Sequence, residues 1–182
     1  VNAGLSQTEE IRNKLLEFKK TGKPIVAYSE VYSIKNYFLS SVADKIYMNP
    51  VGGIDHKGLS ATVMFFKGLL EKLNIDLQIF RLGKFKSAIE PFILDKMSNE
   101  NREQLKLMLN SINDNIMDSI SSQRQIPFEM VKKHANQLTL NSAEICLEKG
   151  YIDHLIYEDQ VEDSLIAIST NKKLRTISLK GY

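Results

Sequence analysis

Two lysines, Lys84 and Lys86, stand just past an apolar run, Ile75 to Phe80, and shortly before a long amphipathic stretch. In an extended segment side chains alternate, so the two point to one face. A lysine held at a strand end can be desolvated, and burial disfavours its charged form, which makes the amine a usable base. Such a base can take the proton of a serine hydroxyl, the Ser–Lys variety of nucleophilic catalysis. Most lysines are simply solvated. The surroundings single out Lys86: Ser87 and Ala88 are small enough for close packing, and Pro91 biases Glu90 toward an extended backbone. Glu90 either orients Lys86 or serves as a surface or capping carboxylate, and the second is the plainer reading.

The other reactive side chains are sparse. His56, His134 and His154 are scattered, with no i, i+4 pair that suggests zinc, and read as solvated or loop residues. Cys146 stands alone, which excludes an internal disulfide and a Cys-rich metal site, and its apolar-periodic segment reads as core. Gly52-Gly53 and Gly58 fit neither a P-loop nor a dinucleotide fingerprint and read as backbone turns. Ser33 reads as a helix cap, Ser40 and Ser41 as packing residues, and Phe65-Phe66 as part of a helix core stripe.

The elements that must position these residues follow from periodicity and punctuation. Ser6-Gln7-Thr8-Glu9 reads as a capping box with Ser6 as N-cap; Ile11, Leu15 and Phe18 then share a helix face, and Gly22 stops the helix. Pro24 to Tyr28 and Lys45 to Met48 read as strands, separated by a helix over Ser33 to Ala43. Ala61 to Leu73 has Val63, Phe66, Leu70 and Leu73 on one face, Asn74 suits a left-handed helix end, and Ile75 to Phe80 reads as a third strand. Ser98 caps a long helix with a buried stripe from Leu105 and Met108 through Leu109, Ile112 and Ile116 to Ile120. Pro127 opens another helix; Asn141 with Glu144 caps a short one that Gly150 closes. Glu158 to Ile168 is the last helix, and Leu174 to Leu179 alternates as a terminal strand or arm would. Strand–helix alternation in the first half predicts right-handed βαβ crossovers and a parallel sheet. The expected organisation is one domain over 1–182: a βα core over 1–97, a mainly helical part over 98–169, and a terminal strand or arm over 170–182.

Bulk composition narrows the function classes. With 182 residues, 43% hydrophobic and 25% charged, the chain can bury a real core. Lys+Arg 24 against Asp+Glu 22 gives a net charge of +2, too weak a field to predict nucleic-acid or anionic-lipid binding. No run reaches the roughly 18 apolar residues of a membrane span, and no signal peptide opens the chain. Val1-Asn2-Ala3-Gly4 lacks an initiator Met and leads straight into a helix signal, so the expectation is a soluble piece of a longer protein, cut just after a strand.

The block Gly83-Lys84-Phe85-Lys86-Ser87-Ala88-Ile89-Glu90-Pro91-Phe92, followed by Met97-Ser98, resembles the segment around the catalytic lysine of the signal peptide peptidase A (protease IV) family. Gly22-Lys23-Pro24, Ala43-Asp44-Lys45-Ile46-Tyr47, Asn49-Pro50, Lys57-Gly58-Leu59-Ser60 and Phe65-Phe66-Lys67-Gly68-Leu69-Leu70 are similar to the family in the same order, from about the first helix to Tyr157. Each is weak alone; the ordered set is specific. The resemblance implies a Clp protease/crotonase-like fold of stacked βαβ units around a parallel sheet with a helical second half. It implies a serine endopeptidase of the bacterial cell membrane, anchored through a segment outside this chain, that degrades cleaved signal peptides without metal or organic cofactor. Lys86, the lysine just before Ser-Ala, takes the place of the general base. The long form of the family is a tandem of two related halves that assembles into rings, so the expected partners are peptide substrates, a carboxy-terminal half carrying the serine, and further copies.

The departure from the family is equally informative. The family's serine lies in a Ser-Gly-Gly context at a helix start, whereas the corresponding place here reads Ser33-Ile34-Lys35-Asn36-Tyr37-Phe38. No Gly-Gly is present to offer backbone N–H groups to an oxyanion. The chain therefore matches the amino-terminal half, with the lysine and without the nucleophile, and is expected to be inactive by itself. Two rivals share the fold: a crotonase-like acyl-CoA enzyme, for which Gly52-Gly53 is a poor oxyanion site, and a non-catalytic assembly domain in which Lys86 forms an ion pair.

Overall fold

Lys45–Met48 forms a strand at the expected residues, and its neighbours explain why so apolar a stretch is stable. This is β3, the centre of a parallel three-stranded sheet, flanked by β1 (Val26–Ser29) and β5 (His154–Leu155). Val26 pairs with Lys45 and Ser29 with Met48 on one side; Tyr47 pairs with His154 on the other. A central parallel strand is covered on both faces, hence the unbroken burial of Ile46, Tyr47 and Met48. A second parallel pair joins β2 (Tyr32–Ser33) to β4 (Ile54–Asp55). The molecule is thus mixed α/β with parallel sheets.

The computed structural model describes residues 4–78, 87–169 and 174–178. The chain divides into two units, Val1–Lys57 with Ile116–Tyr182, and Gly58–Asn115. The first holds both sheets with α1 (Leu5–Lys19) and α2 (Ile34–Ser40). Its helices also include α6 (Phe128–Asn136), α7 (Ala143–Glu148) and α8 (Asp159–Ile168). Its core is built from Tyr32, Tyr37, Val42, Ile46 and Met48 together with Met117, Ile120, Val131, Leu140, Cys146 and Tyr151, all essentially inaccessible. Buried tyrosines need partners for their hydroxyls: Tyr32 donates to the Tyr47 carbonyl at 3.0 Å and Tyr37 to that of Tyr151 at 2.6 Å.

Two arginines tie the elements of this unit together. Arg124 donates to the Gly150 carbonyl at 2.8 Å and to the Asp153 carboxylate at 3.2 Å, while Asp153 accepts the Ile46 N–H at 2.7 Å. Arg12 is 5% exposed and donates to neutral groups: the Phe38 carbonyl at 2.8 Å, the Ser41 hydroxyl at 3.0 Å and the Ser119 carbonyl at 3.3 Å, with the guanidinium 4.7 Å from the Phe38 ring centre. Burial lowers its pKa to about 10.

Arg12 also corrects the expected face of α1. Thr8 and Arg12, not Ile11 and Phe18, point inward, and Ile11 and Phe18 are exposed. Hydrophobic spacing misassigns the helix because its strongest inward contact is a hydrogen-bonded cation. The expected Ser6 cap is displaced as well: Gly4 is the N-cap, its N–H donating to Gln7 Oε1 at 3.0 Å. At α7 the cap is Ser142 in place of Asn141. Gly22, Asn74 and Gly150 adopt the positive φ expected of helix ends (78°, 50° and 77°).

The second unit carries α3 (Lys67–Lys72), a 3₁₀ turn (Ser87–Ile89), α4 (Glu90–Ile93) and the start of α5 (Asn99–Arg124). The helix expected over Ala61 to Leu73 is shortened to α3, because the Phe66 N–H donates to the Pro91 carbonyl at 2.6 Å, outside any helical ladder. Ile75–Leu77 is not a strand; Ile75 N–H returns to the Leu70 carbonyl at 3.0 Å as part of the helix end. Residues 79 and 80 of that expected strand lie outside the described residues, as does Leu179 of the expected terminal strand, and residues 174–178 form no strand. Along α5, Ile116 and Ile120 are buried as expected, but Met108 is exposed. Among the described residues of Gly58–Asn115 no apolar side chain is buried, and Met64, Leu69, Leu73, Ile75, Leu77, Phe92, Leu107 and Met108 are all exposed.

Candidate functional site

Lys84 and Lys86 lie outside the described residues, as do all positions from 79 to 86. What the structure does show is the carboxyl-side anchor of that block. Ser87–Ile89 makes one 3₁₀ turn and runs directly into α4, with Pro91 in the first turn, where its missing N–H leaves no bond unmade. Glu90 is therefore helical, not extended as the following proline suggested. It is also buried, and its carboxylate accepts from the Ser98 N–H at 3.1 Å, from the Ser98 hydroxyl, and from Asn101 Nδ2 at 2.9 Å. Ser98 Oγ in turn accepts the Asn101 N–H at 3.2 Å, capping α5 as expected. A carboxylate at this helix start satisfies free N–H groups and meets the positive end of the helix dipole. Glu90 is thus a capping carboxylate, though not a surface one. The Phe66 and Phe92 rings stack at 5.9 Å and Lys67 reaches Asp95 at 3.2 Å, both fixing α4 beside α3.

The serines behave as caps and packing residues. Ser33 Oγ accepts the Asn36 N–H at 3.2 Å and opens α2, whose first residues Ile34, Lys35 and Asn36 are already helical. Ser41 is buried, donating to the Phe38 carbonyl at 2.9 Å while receiving Arg12. Cys146 is fully buried and burial raises its thiol pKa to about 11, as befits a core residue. Gly52 and Gly53 are more than turns: a Cβ on Gly52 would sit 2.1 Å from the Glu30 carbonyl oxygen, and one on Gly53 3.0 Å from that of Asn141. Close backbone approach demands a glycine at 52 and leaves a side chain at 53 tightly pressed.

Two histidines contradict the solvated reading. His56 is 3% exposed and His134 5%; only His154 is exposed, its ring 5.7 Å from that of Tyr47. His134 Nδ1 sits 3.1 Å from the Tyr151 hydroxyl. Among the described residues, neither ring nitrogen of His56 has a hydrogen-bond partner. Sequence reasoning missed His56 because Gly52 to Lys57 reads as a polar turn, whereas the pairing of Ile54 with Tyr32 draws the segment inward. Burial, with the nearby His134 adding to it, lowers the His56 pKa from 6.5 to about 4. Above pH 6.5 the residue is neutral in both folded and unfolded chains. Between about 6.5 and about 4 only the unfolded chain takes up the proton, so stability falls as pH falls through that window, by up to about 3 kcal/mol. Urea midpoints at pH 7.5 and pH 5 are expected to show this loss, and His56→Phe to remove most of the slope. An unchanged slope in the variant refutes the assignment.

No group of three or more His, Cys, Asp or Glu residues able to hold a metal occurs among the described residues. No described helix is long and apolar enough to cross a membrane.

Comparison with known proteins agrees with the order of motifs along the chain. Residues 17–171 match the model of peptidase family S49. Protease 4 of Haemophilus influenzae is 35% identical over 98% of this chain, and Protease 4 of Salmonella typhi 33% identical over 94%. The chloroplastic serine protease SPPA of Arabidopsis thaliana is 32% identical over the full chain. The chain spans 29%, 30% and 27% of the lengths of these three proteins, respectively. The matched stretch takes in both sheets, the α3–α4 anchor and the lysine block between them, and the chain belongs to peptidase family S49.

Proposed function

We propose that this chain is the lysine-bearing part of a serine peptidase of the signal peptide peptidase A kind. Lys86 is the general base, and the serine and its oxyanion donors come from the carboxy-terminal part of the same protein. The base withdraws the hydroxyl proton as the oxygen attacks the scissile carbonyl; the C–N bond breaks, the amine leaves with that proton, and water then hydrolyses the acyl-enzyme to free the acid and restore the serine hydroxyl. The substrates are signal peptides already cleaved from their precursors, at the bacterial membrane, and the β1–β3–β5 sheet belongs to a Clp protease/crotonase-like stack.

The observation that carries this reading is the coincidence of two features. The family match runs through Lys86, and the place where a nucleophile would sit holds Ser33 as an ordinary helix cap. Membership in a peptidase family favours peptide hydrolysis over acyl-CoA chemistry. The second unit supports a need for partners, whether the remainder of the protein or further copies in a ring. A unit with no buried apolar side chain among its described residues, and eight large exposed ones, calls for apolar cover from outside.

A fluorophosphonate probe tests the assignment of parts. The full protein is expected to label on a serine outside these 182 residues, with labelling lost in Lys86→Ala, and the 182-residue chain alone is expected to take no label. Labelling of Ser33, Ser40 or Ser41 sinks the proposal.

A further inference from the structure

A cavity of about 390 Å³ lies within the second unit, against the first turns of α5. Its volume falls within the range of small-ligand sites, roughly 300–1,000 Å³. The floor is apolar and half-buried, built from Leu59, Met97, Leu105 and Leu109. The charged lining is all of one sign. Arg102 and Lys106 stand one turn apart on α5, both exposed, and no carboxylate lines the cavity. Elsewhere Lys14, Lys67 and Lys149 each reach a carboxylate within 3.2 Å. Arg102 and Lys106 form no ion pair with any described residue.

The turn that carries Arg102 is held in place. Its N–H donates to the Ser98 carbonyl at 3.0 Å, and the Glu90 carboxylate binds Ser98 and Asn101 on either side of that turn. Two cations at i and i+4 above an apolar floor complement a carboxylate at the end of a short apolar chain. A guanidinium takes a carboxylate in a two-point bond, and the ammonium adds a second charge. A released signal peptide presents this form: its last residues are small, in an Ala-x-Ala pattern, and cleavage has left a free carboxylate after them. In the uncleaved precursor the same residues run on through an uncharged amide.

We infer that this cavity receives the carboxylate end of a released signal peptide. Arg102 and Lys106 hold the carboxylate, and Leu59, Leu105 and Leu109 bear the small residues before it. The inference rests on the peptidase reading and adds to it the feature by which a released peptide is told from its precursor.

The test uses the full protein carrying Lys86→Ala, so that peptide is bound without turnover. The probe is Leu-Leu-Ala-Leu-Ala-Ser-Ala with a fluorophore on its amino end, read by anisotropy. The free acid is expected to bind about tenfold more tightly than its carboxamide. The carboxamide with glutamate as its first residue has the charge of the free acid, and it is expected to bind as weakly as the plain carboxamide. Arg102→Gln is expected to cut the acid-to-amide ratio to about threefold, and Arg102→Gln with Lys106→Gln to abolish it. Both positions are exposed, where substitutions change stability little. With Lys86 intact, amidation is expected to raise KM by a similar factor and leave kcat unchanged. Equal affinity for acid and amide, or a preference that survives the double substitution, overturns the inference and leaves the peptidase reading standing. Binding of phosphatidylglycerol vesicles that the double substitution abolishes, with no acid-to-amide difference, overturns it in favour of a lipid surface. Binding of neither peptide overturns the inference together with the peptidase reading. A Lys86→Ala protein that still cleaves peptides and still prefers the acid overturns the dyad and supports the cavity.

Discussion

Lys86→Ala in the full protein is expected to lower kcat/KM for peptide hydrolysis by at least about 10³-fold, and Lys84→Ala by less than about threefold. General-base catalysis supplies roughly two to four orders of magnitude, and the serine hydroxyl is a poor nucleophile until its proton is accepted. The two lysines are separated by a single residue, so a general loss of local charge affects both variants alike, whereas a base affects one. Lys86→Arg sharpens the distinction. A guanidinium stays protonated and cannot accept the proton, yet it preserves an ion pair. Activity retained in Lys86→Arg therefore indicates the assembly-domain role, and activity lost in Lys84→Ala but not in Lys86→Ala means the wrong lysine was assigned. The rate is expected to rise with pH through a lysine pKa lying well below the free value of about 10.4, since the neutral amine is the active form.

Arg12→Ala is expected to destabilise the fold by about 3 kcal/mol, read as a lower urea midpoint and a melting temperature down by roughly 6–12 °C. The loss has three sources. The Phe38 and Ser119 carbonyls lose a charged donor inside the protein, the Phe38 ring loses its stacked guanidinium, and a cavity opens between α1, α2 and α5. Desolvation of the cation offsets part of this gain, which is why the expected loss is not larger. Arg12→Lys should recover little. An ammonium on one stem does not reach acceptors on two separate helices as a planar fork does. A midpoint unchanged in Arg12→Ala would falsify the account of α1 as a helix pinned by its polar face.

Strand β3, the Ser33 and Ser98 caps and the left-handed ends at Gly22, Asn74 and Gly150 were legible in the sequence because each depends on residues within one turn. The family was legible through its ordered motifs, and the capping role of Glu90 was the plainer of its two readings, while its burial was not foreseen. Glu90 gives no local sign that it will cap a helix eight residues later. His56 and Arg12 were misjudged for the same reason. Both are polar residues whose burial is decided by partners distant in sequence: Ile54 drawn to Tyr32, and Phe38 and Ser119 around the guanidinium. Periodicity reports how a segment is built, and it does not report which carbonyl waits on the other side.

The pairing of Tyr47 with His154 has a consequence for synthesis. The centre strand of the sheet leaves the ribosome 107 residues before the strand that closes its second edge, and the whole of Gly58–Asn115 is made in between. At roughly 5–20 residues per second that is an interval of about 5–20 s. Throughout it, β3 lacks the partner that His154 and Leu155 later provide, and its open edge can pair with any passing extended chain. Nascent protein stalled before Asp153 should therefore be a client of chaperones, while chains released past Tyr157 should not.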